Sequence, residues 1–124
     1  MLGKTPGAIK VNPDGYTYLD PLEFPKLFAP DIPHDQAVFA SRSQVLAASS
    51  VFKTPLAAAA WRTKRSSGIV AGADQIIDPD LERWYYARAK SKTFEIPGAS
   101  YSVHVSHRKE VAEVITRAAR SFEQ

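Results

Sequence analysis

Between Gly68 and Tyr101 the sequence reads as strand, acidic loop, helix, strand and loop. Gly68-Ile69-Val70-Ala71-Gly72 is a short apolar run closed by glycine, and Lys92-Thr93-Phe94-Glu95-Ile96 alternates as a strand does before Pro97-Gly98 ends it. Between them Asp78-Pro79-Asp80 opens a helix of about a dozen residues, long enough for a crossover connection. Two strands joined this way run parallel, with a right-handed crossover. The expected fold class is therefore α/β, mostly helical with a small parallel βαβ sheet. Loops after the carboxyl ends of parallel strands are where such folds place their chemistry, and Asp74 and Tyr101 both fall in such loops.

The remaining chain supplies mostly helices. Residues 1–15 hold Gly3, Pro6, Gly7, Pro13 and Gly15 without periodicity and read as an N-terminal arm, with a turn at Asn12-Pro13-Asp14-Gly15. Tyr16 to Leu19 is a short extended piece. Asp20, Pro21 and Glu23 form a capping arrangement for a short helix burying Leu22, Phe24, Leu27 and Phe28. A longer helix is expected from about His34 to Val51. Another begins at Thr54-Pro55 and carries Leu56, the alanines at 57–60 and Trp61.

Two helix faces are specified by spacing. Leu81, Trp84 and Tyr85 form an i, i+3, i+4 face after the Asp78 cap. Val111, Val114, Ile115, Ala118, Ala119 and Phe122 form a longer apolar stripe, opposite Lys109, Glu113, Arg117 and Arg120.

Composition removes several function classes. The chain has no cysteine, so thiolate chemistry and disulfides are excluded. No apolar run approaches the ~20 residues of a membrane span, and the first residues lack a signal-peptide core. A cytoplasmic location is the default expectation. The net charge is +3 and the pI 9.3, but the basic residues are scattered except at Arg62, Lys64 and Arg65. No nucleic-acid partner is expected from that pattern.

The run of motifs Ser43-Gln44-Val45, Trp61-Arg62-Thr63-Lys64, Ile69 to Asp74, Pro79 to Arg83 and Pro97 to His107 resembles the carboxyl-terminal half of an α/β-hydrolase, in the manner of small bacterial esterase-like hydrolases. The resemblance implies a cap-like region at 16–64 and, over 65–124, the last strands and helices of the core. It also implies that Asp74 stands where the family has its triad acid, and Tyr101 where the family has its histidine. The nearest imidazole, His104, stands where the family has tyrosine. The family nucleophile sits on a G-x-S-x-G elbow, and this chain contains no such motif.

Each residue also has a plainer reading. Asp74 is otherwise a turn aspartate, because a triad acid needs an imidazole to orient. Tyr101 would hydrogen-bond Asp74 structurally, since a phenol with a pKa of roughly 10 is a poor base at neutral pH. His104 reads as a half-buried histidine in a helical turn. His104 and His107 are spaced i, i+3 without a third ligand, so no metal and no cofactor are expected. Three functions follow: a partial hydrolase that is not catalytic alone, a non-enzymatic binding or assembly module, or one half of a split hydrolase completed by a second chain. A two-stranded parallel sheet has open edges, so a homo-oligomer or a second hydrolase half is the expected partner. A small-molecule ligand is left open.

Overall fold

The computed structural model describes residues 7–121. Two sheets organise these residues. Strands β4 (Ser67–Ala71) and β5 (Lys92–Ile96) pair in parallel, with Ile69 opposite Phe94 and Ala71 opposite Ile96. Helix α3 (Pro79–Arg88) crosses between them. Its start is set as the sequence implies: the Asp78 side chain accepts from the Asp80 amide at 2.9 Å, and Pro79 sits where no intrahelical donor is needed. Arg83 on this helix clamps Glu95 of β5 with two bonds, Nε to Oε2 at 3.0 Å and Nη2 to Oε1 at 2.6 Å.

The second sheet was not expected. Strand β1 (Ile9–Val11) lies within the stretch read as an arm, and pairs antiparallel with β2 (Tyr16–Leu19), which pairs in turn with β3 (Ala47–Ala48). The Asn12–Gly15 turn joins β1 to β2. Gly15 adopts φ 82°, and its amide donates to the Asn12 carbonyl at 3.0 Å. Three residues alternating in a Gly- and Pro-rich setting carry too little pattern to be read as a strand, and pairing with β2 is what orders them.

The helices expected before residue 65 are shorter than their sequence patterns. Asp20 caps a turn, accepting from the Leu22 amide at 3.0 Å, and helix α1 covers only Phe24–Leu27. Phe24 and Leu27 are buried as expected, but Leu22 is 86 % exposed. Helix α2 (His34–Arg42) ends well short of Val51. The cause is Gln44, whose side chain pairs with the Leu19 backbone on both sides: Oε1 accepts from the amide at 2.9 Å and Nε2 donates to the carbonyl at 2.8 Å. Residues 47–48 then join the sheet, and Ser49–Phe52 forms a single 3-10 turn. No helix forms at Thr54–Ala59. Leu56, Ala57 and Ala58 are exposed, and a short alanine run with no surface to pack against does not sustain a helix in water.

Two apolar clusters hold the fold. Ala8, Leu19, Phe24, Leu27, Ala29 and Ala37 form one; Ala71, Ile96 and Ala99 form the other, with Val103 and Val111 against it. Helices α4 (Val103–Ser106) and α5 (Arg108–Arg120) follow β5. The apolar stripe of α5 is only partly covered: Val111, Val114 and Ala118 are half-buried and Ile115 is 61 % exposed. Phe122, the last member of the expected stripe, lies outside the described residues. The face of α3 is the expected one only at Leu81, which is half-buried. Trp84 and Tyr85 are 55 % and 51 % exposed, while Glu82, Tyr86 and Ala89 turn toward the sheet. Tyr86 lies over Gly68, where a Cβ would stand 2.5 Å from its ring. A ring needs that gap, so glycine at 68 decides which side of α3 meets β4. Among the described residues no helix is long and apolar enough to cross a membrane.

Candidate functional site

The loops following β4 and β5 lie side by side. The Gly72 amide donates to Ile96 O at 3.0 Å and the Ala73 amide to Ala99 O at 2.9 Å. Pro97-Gly98 turns the second loop, with Gly98 at φ 77° in the left-handed region that only glycine adopts without strain. Asp74 and Tyr101 therefore both stand at the carboxyl end of the parallel pair.

Asp74 is buried, with 8 % of its surface exposed. Its Oδ1 accepts from the Ile76 amide at 2.7 Å and the Ile77 amide at 3.1 Å. Burial pushes its carboxyl above the ordinary value, and the two amide bonds oppose that shift. A cleft of about 470 Å³ opens beside it, lined by Gly72, Ala73, Gln75, Asp78 and Asp80.

Glu82 joins this site from the first turns of α3. Its Oε2 accepts from the Ala71 amide at 3.3 Å. Burial, followed by the negative charge of Asp74, raises its carboxyl to about 7. Two carboxylates in one partly desolvated place cannot both ionise without penalty. In the sequence Glu82 has the look of a first-turn helix charge, and nothing local reveals that it faces back to Asp74.

Tyr101 does not hydrogen-bond Asp74. Its ring packs on Phe28 at a centroid separation of 4.3 Å, tilted by 37°, and Phe28 stacks on Phe24 at 4.4 Å. The expected phenol–carboxylate contact is replaced by an aromatic stack because Asp74 already has its own loop amides as donors. His104 is exposed on α4 and is not the half-buried histidine that was expected. The sequence thus brings the loops of Asp74 and Tyr101 together, but gives Asp74 neither the phenol nor the imidazole as a partner.

His107 belongs to a second cluster. Its Nδ1 lies 2.9 Å from Ser106 Oγ and 3.8 Å from Asp31 Oδ2. Asp31 also accepts from the Ser100 amide at 2.8 Å and from the Ser100 hydroxyl. Burial alone would raise the Asp31 carboxyl, but the Ser100 and Ser106 donors hold it below its ordinary value. Gly98-Ala99-Ser100-Tyr101-Ser102 lies on a strand–turn–helix path, but Ser100 is 1 % exposed and its hydroxyl faces Asp31 with no imidazole between them. Within the described residues, the only acceptor at that hydroxyl besides the Phe28 carbonyl is the Asp31 carboxylate, which its own donors hold below the ordinary value and so make a weak base. The bonds of this cluster tie the loop after β5 to the chain after α1. In the sequence Asp31 stands between two prolines, in a stretch that reads only as a helix break. Among the described residues no group of three or more His, Asp or Glu could hold a metal ion.

With this geometry in view, a family model described as "Alpha/beta hydrolase family" matches residues 3–114. No curated protein and no solved structure matches the chain.

Proposed function

This chain belongs to the α/β-hydrolase family, and from that membership we propose that it keeps the acid position of the family site, at Asp74, without being a catalyst by itself. The observation that carries the reading is the pairing of Asp74. Its carboxylate oxygen is held by the amides of Ile76 and Ile77, and Tyr101, which in this reading stands at the place of the family histidine, packs on Phe28 instead. Triad members act as a unit, so an acid without its imidazole contributes almost nothing to rate. The chain also has no G-x-S-x-G segment to raise a nucleophile.

Residues 16–64 serve in this reading as a cap-like region, and residues 65–124 as the end of the hydrolase core. A second chain covers the open surface, either another copy or a hydrolase half bringing the elbow. In favour of such a partner, β4 and β5 form a two-stranded parallel sheet, and parallel strands normally lie within wider, covered sheets. Val45, Phe52 and Leu56 are also largely exposed, with Val45 at 97 %. The same exposure favours a second reading, a non-enzymatic assembly module built on the family scaffold.

The test is a p-nitrophenyl ester assay on the purified chain, run alongside light scattering coupled to size exclusion. No turnover and a dimer or larger species are expected. Turnover that Asp74→Asn abolishes would overturn the non-catalytic reading, and a cooperatively melting monomer at micromolar concentration would overturn the partner.

A further inference from the structure

At the other end of the sheet, remote in the fold from Asp74, aromatic and basic side chains converge from separate parts of the chain. The Arg88 guanidinium at the end of α3 lies 5.2 Å from the Trp61 ring and 5.6 Å from the Trp84 ring, and the Arg62 guanidinium lies 5.3 Å from Trp61. Leu56, Trp61, Tyr85, Tyr86 and Arg88 line an apolar cleft of about 430 Å³ there. A second cleft of about 240 Å³ adjoins it through Ser66 and Ser67, and is walled by Arg65, Lys90, Lys92 and Ser121.

The two clefts differ in chemistry and share an ordered wall. Ser66 and Ser91 hydroxyls bond at 2.5 Å, the Ser91 amide donates to Tyr86 O at 2.9 Å, and the Lys92 amide to Ser66 O at 3.0 Å. Lys90 holds φ 54°, which turns the chain sharply between α3 and β5. Arg88 and Lys90 at the end of a helix complement its dipole, and that explains their sign. It does not explain why Arg65 and Lys92, from other elements, line the same cleft, or why no Asp or Glu lines either one. Basic and hydroxyl groups beside a flat aromatic cleft match a molecule with a planar apolar body and one anionic group.

We infer that this end of the sheet binds a small amphiphilic anion, an aromatic body carrying a single phosphate or carboxylate, with the ring against Trp61 and Tyr85 and the anion toward Lys90 and Lys92. The inference is independent of any chemistry at Asp74. Both tryptophans of the chain, Trp61 and Trp84, stand at this face, so their indole N–H signals in a nitrogen–proton correlation spectrum report on it directly. The probe is 1-naphthyl phosphate, titrated into the full chain beside 1-naphthol and inorganic phosphate. Saturable movement of the Trp61 indole signal by 1-naphthyl phosphate is expected, with much weaker movement by either part alone. The double variant Lys90→Gln with Lys92→Gln should bind about tenfold more weakly, since charge-assisted bonds to an anion are lost. The unperturbed remainder of its spectrum verifies that it is folded. Equal binding of 1-naphthol, unchanged affinity in the double variant, or the absence of saturation would each overturn the inference. Tighter binding of a single-stranded oligonucleotide than of the naphthyl probe would overturn it in favour of a nucleic-acid face.

Discussion

The Ser100 amide donates to Asp31 Oδ2 at 2.8 Å across 69 residues of sequence. Ser100 follows β5, and Asp31 follows the short helix α1, so this bond ties the loop that carries Tyr101 to the helical layer beneath it. The Phe28 carbonyl adds to the tie by accepting from the Ser102 hydroxyl at 2.8 Å and the Ser102 amide at 3.1 Å.

Asp31→Ala should therefore destabilise the protein by about 2 kcal/mol, because it leaves the buried Ser100 hydroxyl and amide short of an acceptor. The pH dependence carries a defined sign. The folded Asp31 carboxyl lies below its ordinary value of 3.8, so its stabilisation is complete above that value and is lost as pH falls through the lower folded value. Urea melts between pH 2 and pH 5 check it: Asp31→Asn should flatten the acid limb.

Glu82 should act in the opposite sense. Its folded carboxyl is raised from 4.5 to about 7, so stability is fullest below 4.5 and declines as pH rises to about 7. Glu82→Gln keeps an acceptor for the Ala71 amide and removes the charge facing Asp74. It should raise stability at pH 8 by about 1 kcal/mol, a figure reduced from full linkage because the group is partly solvated. A melt series across pH 4 to 8 in which wild type and variant decline in parallel would refute this.

Gly68→Ala should cost about 2 kcal/mol by overpacking. The new methyl would stand 2.5 Å from the Tyr86 ring, and moving that ring lifts α3 from β4. Gly98→Ala meets no neighbouring atom but must hold φ 77°, so its cost of about 1 kcal/mol is backbone strain alone. Thermal melts of the two variants separate these causes, since only the first should be relieved by Tyr86→Leu.

Tyr101→His should not create esterase activity. In the proposed reading it places an imidazole at the family position but supplies no serine for it to deprotonate, and it loses part of the ring contact with Phe28, at about 1 kcal/mol. Turnover of a p-nitrophenyl ester by this variant would mean that a serine of this chain acts as nucleophile.

Local signals in the sequence hold where the structure uses them locally. Asp78-Pro79 starts α3, Pro97-Gly98 ends β5, and the Asn12–Gly15 turn forms, because each depends on residues a few positions apart. What escaped depends on distant partners. Nothing near Gln44 says that its amide will occupy the Leu19 backbone, yet that pairing ends α2 and lets Ala47 and Ala48 join a sheet. The same holds for the site. The loops of Asp74 and Tyr101 follow from strand order, whereas the contacts of Glu82 with Ala71 and of Asp31 with Ser100 come only from tertiary packing.

The irregular, exposed stretch at residues 53–58 separates the part of the chain containing Phe28 and Asp31 from the part containing Ser100 and Ser102. A protease cut there would break one peptide bond and none of the bonds that the Phe28 carbonyl and the Asp31 carboxylate accept. The two pieces would stay together as a noncovalent pair and separate only on denaturation. The two pieces, expressed separately, should each be poorly ordered and should reconstitute on mixing.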